Sequence, residues 1–189
     1  MDSALIVSQN EKSTQYFVEL LQSAHVGHIA SSTTCGEARR MFLERAFDLL
    51  IVNAPLKDET GEKLSRHIAI KEMTQVILVV AAEHYEAIAA QCENDGVLTL
   101  AKPINKAILW SAIKLAKAAQ SKMMRMHSEN NKLKQKIEDI RIIDRAKCAL
   151  IAYMNMHEKE AHRYIEKQAM DMRVSKRMVA EGILKTYEN

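Results

Sequence analysis

With 189 residues, 48% of them apolar, the chain has material for one ordinary domain and a small second one. Its longest apolar run, residues 76–82, excludes a transmembrane helix; residues 1–2 lead into a strand-like run with no basic leader, so a cytoplasmic location is expected. The net charge of +3 is uneven: residues 1–120 carry 12 Lys and Arg against 14 Asp and Glu, and residues 121–189 carry 15 against 10. The basic last third fits either a polyanionic partner or a helical region of solvated charge pairs. Cys35, Cys92 and Cys148 are odd in number with no CxxC spacing, which argues against a disulfide framework or structural zinc and suits a reducing compartment. Cys148 is expected as a small, partly buried core residue.

The first 120 residues alternate between two periods. Residues 4–8 read as a buried strand, and Tyr16, Phe17, Leu20 and Leu21 mark the face of a following helix. Residues 26–30 are a weaker second strand. Residues 37–46 are helical through Ala38, Met41, Phe42 and Leu43. Residues 47–53 form the third strand, Leu64 and Ile68 mark the next helix, and residues 76–81 form the fourth strand. A helix at 83–92 and a fifth strand at 96–100 complete the set. Aliphatic strands separated by helices predict a five-stranded parallel sheet covered on both faces, an α/β flavodoxin-like domain over 1–120.

After Pro103 no strand pattern returns, and residues 105–153 contain neither Pro nor Gly. Met123, Met126, Asn130, Leu133, Ile137 and Ile140 are spaced three and four apart in alternation. Met123, Asn130 and Ile137 take the a positions of a heptad, and Met126, Leu133 and Ile140 take d. One polar Asn in such a seam favours a parallel two-stranded coiled coil over 121–141, and so a homodimer; the competing reading is a long amphipathic helix packed on its own domain. The remainder, 142–189, reads as the end of that helix plus two more, forming a small three-helix domain. Asn155 sits at the first helix stop. Ala161, Tyr164, Ile165 and Ala169 form the stripe of the second helix, and Ser175 is the N-cap of a third that runs through Val179, Ile183 and Leu184.

The first 120 residues resemble the receiver domain of two-component response regulators. That family carries an acidic metal-binding pair after the first strand, a phosphorylated Asp at the end of the third, a hydroxyl residue after the fourth, and Lys-Pro after the fifth. Lys102-Pro103 matches. Elsewhere the pocket departs: Ser8, Gln9 and Asn10 follow the first strand, Asn53 stands at the phosphoacceptor position and Val80 at the hydroxyl position. An amide oxygen is a poor nucleophile, and Mg²⁺ prefers anionic oxygen ligands. The domain therefore reads as a pseudo-receiver without phosphoacceptor, metal or cofactor. Asp58 lies on the following loop at the wrong spacing to serve as acceptor.

The C-terminal segment resembles the AmiR/NasR transcription antitermination regulator domain, ANTAR. The resemblance rests on Ala146-Lys147, Leu150-Ile151, Glu158 to Arg163, Ala169-Met170, and Val179-Ala180, in family order and near family spacing, with Asn155 where Gly is frequent and His157 where Ser or Thr is frequent. It implies RNA as partner: paired stem-loops in the leader of a nascent transcript, bound so that a terminator hairpin does not form. Arg145, Lys147, Arg163, Lys167, Arg173, Lys176 and Arg177 are the expected RNA contacts, with about half of them touching RNA, and His162 and Tyr164 offer stacking planes. Ala146, Ala169 and Met170 are assigned to packing.

No catalytic constellation is read. His157 and His162 are five residues apart, about 140° round a helix, whereas a zinc-protease motif needs two His on one face. The sequence therefore predicts a non-enzymatic RNA-binding antiterminator that works without phosphorylation. The alternative is a pseudo-receiver scaffold acting through a regulatory protein or a small ligand.

Overall fold

The computed structural model describes residues 1–187; the last two residues of the segment expected at 142–189 lie outside that description. The chain divides into two compact units, Met1–Arg125 and Met126–Asn189.

In the first unit, strands β1 (Ser3–Val7), β2 (His28–Ser32), β3 (Leu49–Asn53), β4 (Gln75–Ala81) and β5 (Val97–Lys102) form one parallel sheet in the order 2-1-3-4-5. Between them run helices α1 (Glu11–Ser23), α2 (Cys35–Glu44), α3 (Glu62–Lys71) and α4 (Tyr85–Cys92), and α5 (Lys106–Met154) follows β5. The side chains of a strand alternate between faces, and here both faces are apolar. Leu5, Val7, Leu50, Val52, Leu78 and Val80 pack with Cys35, Ala38, Leu64 and Ile68. Ala4, Ile6, Leu49, Ile51, Ile77 and Val79 pack with Phe17, Leu20 and Leu21 of α1 and with Leu109, Ala112, Ile113 and Ala116 of α5. This doubly covered parallel sheet is the flavodoxin-like architecture expected from the strand pattern.

The structure moves some boundaries. β2 begins two residues later than expected, at His28, and the expected helix at 83–92 opens with a 3-10 turn over Ala82–His84. Leu43, expected on the buried stripe of α2, is 88% exposed. It lies five residues past the buried Ala38, about 140° round the helix, and so faces water.

The second unit packs three helices round a small core: the C-terminal part of α5, α6 (Glu158–Met172) and α7 (Lys176–Tyr187). Ala146 and Leu150 of α5 meet Ala161 and Ile165 of α6 and Ala180 of α7, with Ile143, Met156 and Val179 at the margin. The small Ala side chains let the helices approach closely. α5 stops at Asn155, whose φ of 52° is the left-handed conformation that Asn tolerates. At the start of α6 the Glu160 carboxylate accepts the His157 N–H at 2.9 Å, and Ser175 Oγ accepts the Met178 N–H at 3.2 Å to cap α7.

Two packing expectations fail here. Cys148 is exposed, because Ala146, Ala149 and Leu150 occupy the inward face of α5 and Cys148 points away from it. Met170 is 78% exposed, because the inward stripe of α6 runs through Ala161, Ile165 and Ala169 at intervals of four, and the next residue is turned about 100° off it.

Gly61 caps α3 with φ +86°, and a Cβ there would lie 2.6 Å from Cγ1 of the buried Val52. Gly96 has φ +80° with nothing within 4 Å of a Cβ. Both positions strain an L side chain, but only the first adds a clash. Gly61→Ala should therefore lower unfolding free energy by about 2–4 kcal/mol, and Gly96→Ala by about 1 kcal/mol, in urea titrations of the full chain. Equal losses would contradict this packing.

Candidate functional site

The C-terminal ends of β1, β3 and β5 bring the receiver-pocket residues together. Asn53, buried at the end of β3, donates from Nδ2 to Ser8 Oγ at 3.0 Å. Gln9 Nε2 donates to the Pro55 carbonyl at 2.9 Å. Asn10 caps α1, its Oδ1 accepting the Ser13 N–H at 3.0 Å. Lys102 Nζ donates to the Ala54 carbonyl, and burial pushes its pKa down. Val80 contributes a buried apolar wall. The polar groups thus satisfy one another, and the pocket gathers no carboxylate.

Asp58 is engaged elsewhere. Its two oxygens accept the N–H groups of Cys35 (3.1 Å) and Gly36 (2.9 Å) at the first turn of α2. Burial would raise its pKa, yet these backbone donors hold it below the ordinary value. The neighbouring Cys35 thiol is pushed up to about 11 by burial, then by the Asp58 and Glu59 carboxylates, so it stays protonated and inert at neutral pH. Beside these residues, and sharing Ser8 and Gln9 with them, lies an open polar cleft of about 1000 Å³ whose lining includes Glu11, Glu37, Lys12 and Lys57. Sequence reading missed it, because its residues come from three separate loops and helices.

Six of the seven expected RNA contacts sort into two groups. Lys147 Nζ bridges Asp144 at 2.8 Å and Glu158 at 3.2 Å, with only 16% of its side chain exposed. Lys176 pairs with Glu166. Arg177 reaches Asp139 of α5 and Glu181 of α7, both at 2.8 Å. These three hold helices together. Arg163, Lys167 and Arg173 form no ion pair among the described residues, and all three are exposed. The reason is visible locally: Glu160 accepts the His157 N–H and Glu166 serves Lys176 and His162, so the acids within a turn of Arg163 are taken. Arg173 is held at φ 54° as the C-cap of α6. Arg145 has a partner of its own. Of the two expected stacking planes, His162 lies 3.3 Å from Glu166, while Tyr164 remains 36% exposed at the edge of the core.

The heptad stretch of α5 is largely exposed. Met126, Leu133, Ile137 and Ile140 are each more than half exposed, Asn130 is exposed, and Met123 is partly so. Asp144 and Lys147 fall at the next a and d positions and end the apolar stripe.

Comparison with known proteins decides the family. Residues 4–114 match the response regulator receiver domain, and residues 131–184 match the ANTAR domain. The chain is a response regulator with an ANTAR domain. It is 26% identical over 139 residues to the transcriptional regulatory protein PdtaR of Mycobacterium tuberculosis, covering 74% of this chain and 68% of that protein. The signal receiver domain of an HD domain-containing protein from Pseudomonas fluorescens Pf-5 superposes with TM-score 0.55 at 24% identity, over 69% of this chain and 94% of that one. A two-component response regulator from Clostridium difficile gives 0.53 at 20%, over 62% and 97%. At these identities the two structures establish the receiver fold. No helix among the described residues is long and apolar enough to cross a membrane.

The sorting of cations has a measurable consequence within the ANTAR domain. Lys147→Met should lower domain stability by about 0.5–1 kcal/mol, whereas Arg163→Ala should leave the melting midpoint unchanged. Pairing with Asp144, then Glu158, raises the Lys147 pKa. Its contribution is accordingly complete below the unfolded value of about 10.4 and is lost as pH rises through the folded one, so the two variants should converge only in strong alkali. Equal melting midpoints at pH 7 would contradict the assignment.

Proposed function

We propose that the protein is a non-enzymatic transcription antiterminator of the cytoplasm. It binds paired stem-loops in a leader transcript and so prevents terminator formation. The observation that carries this reading is the ANTAR match over three helices that present Arg163, Lys167 and Arg173 with no ion pair among the described residues. Exposed cations with no internal carboxylate retain their full attraction for phosphate and release counterions when they bind it. An A-form stem hides its base edges in a deep groove, so a hairpin loop is where such a surface can read sequence.

Two ANTAR domains are needed for two stem-loops. We assign 121–141 to dimerisation through a parallel coiled coil with Met123, Met126, Asn130, Leu133, Ile137 and Ile140 in its seam. The stripe's exposure in the single chain and its heptad spacing support this. In that register Glu129 at g also faces Lys134 at e of the second copy. Replacing Leu133 and Ile137 with Lys should yield monomers in sedimentation at micromolar concentration; a monomeric unaltered protein would contradict the assignment.

Activity is independent of phosphorylation in this account, because Asn53 offers an amide where a carboxylate is required. Incubation with acetyl phosphate and Mg²⁺ should leave the intact mass unchanged; a labile phosphoryl group on Asp58 would overturn the point. The binding test compares RNA bearing two adjacent stem-loops with RNA bearing one and with duplex DNA. Effective concentration at the second loop should give the two-loop RNA an advantage of about 10–1000-fold. Equal affinity for hairpin RNA and duplex DNA at physiological salt would favour the scaffold alternative, with the cleft beside Gln9 and Lys57 as its natural ligand site.

A further inference from the structure

The turn between α5 and α6 shapes a cleft that no sequence motif marks. It measures about 520 Å³ and is lined by Met154, Asn155, Met156, Glu160, Arg163, Tyr164 and Lys167. Arg163 and Lys167, neither in an ion pair among the described residues, stand on its rim one helical turn apart. Its apolar part is soft and flat: Met154 is 45% exposed and Tyr164 is 36% exposed, and both border open space. Such large apolar side chains left in water beside two cations and one carboxylate match a ligand that is planar and apolar on its faces and anionic on one edge.

We propose that this cleft receives one unpaired base of the RNA loop. The base lies against the thioether and phenol surfaces of Met154 and Tyr164, and its flanking phosphates meet Arg163 and Lys167. The proposal rests on the RNA-binding reading above and narrows it to a place and a chemical class. Stacking on an aromatic ring or a guanidinium plane is sequence-tolerant, so selectivity must come from polar groups in the cleft. Two are present. The Asn155 amide offers a donor and an acceptor, and the left-handed backbone at φ 52° fixes its Cα. Glu160 repels phosphate and accepts from an exocyclic amino group, and its hydrogen bond to the His157 N–H holds the carboxylate in position. Cytosine, adenine or guanine would therefore be preferred over uracil at this position. Lys147, Lys176 and Arg177, already engaged with acids, contribute to RNA binding only weakly in this account.

The experiment uses the full-length protein and a two-hairpin RNA in which each loop base is replaced in turn by 2-aminopurine or by an abasic residue. Fluorescence of one loop position should change on binding, and its abasic replacement should weaken binding about 5- to 150-fold, the contribution of one stacked base. Two variants keep the fold. Met154→Ala removes the thioether surface at an exposed position, and Asn155→Gly retains access to positive φ but loses the amide. Each should lose affinity for the intact hairpin and lose little more when the abasic RNA is used. Additive losses in variant and abasic RNA, or no sensitive loop position in an RNA that still binds, would overturn the cleft proposal while leaving antitermination standing. Failure of the unaltered protein to bind any hairpin would remove both. Polyglutamate competing as well as loop RNA would assign the cleft to an acidic protein segment and would also overturn it.

Discussion

Met126, Leu133, Ile137 and Ile140 are each more than half exposed along α5, which spans Lys106 to Met154. It contains neither Pro nor Gly at which to fold back. One of its ends is locked into the receiver core through Leu109, Ala112, Ile113 and Ala116, the other into the ANTAR core through Ala146 and Leu150. Covering side chains of this size contributes about 1.5–3 kcal/mol each when burial is complete. The spacing of the stripe suits a second copy of itself, and Asn130 within it would fix register at some expense of stability. Everything proposed for function depends on this constraint: two linked ANTAR domains follow from a covered seam, and avidity for two hairpins follows from two linked domains.

The residues at the strand ends of the receiver domain satisfy one another without loosening the fold. A carboxylate pair and a phosphoacceptor would repel one another without a bound cation. Here amides and a hydroxyl replace them, and each finds a partner: Asn53 with Ser8, Gln9 with Pro55, Asn10 with Ser13. Lys102 keeps its place but turns to the Ala54 carbonyl. Asp58, on the loop after β3, anchors α2 instead. The sheet and both of its apolar faces are untouched, because the chemistry of a receiver sits on the loops beyond the strand ends and the core does not depend on it.

Strands and long helices were legible because burial writes itself into hydrophobic period. Aliphatic runs gave five strands, and a stretch free of Pro and Gly gave α5. The misreadings within helices share one cause. Leu43, Cys148 and Met170 are apolar or small side chains at the edge of a helical stripe, and a turn of 100° to 140° decides between core and water. The candidate RNA surface was legible only as a list of basic residues. Spacing puts Asp144 within i,i+3 reach of Lys147, but it does not say that Glu158 joins that pair while Arg163 has no ion pair among the described residues, since that depends on where Glu158, Glu160 and Glu166 point in three dimensions. The cleft at Asn155 was hidden for the same reason: its floor is a helix end, read from sequence only as a stop signal.

The central claim is that a dimer of ANTAR domains acts on the transcript while it is being made. Single-round transcription in vitro through a leader with two hairpins overlapping a terminator tests it most directly. Readthrough should rise with added protein, without any phosphodonor, and should fall back when Leu133 and Ile137 are replaced by Lys. Unchanged termination at protein concentrations that saturate the hairpins would contradict the account.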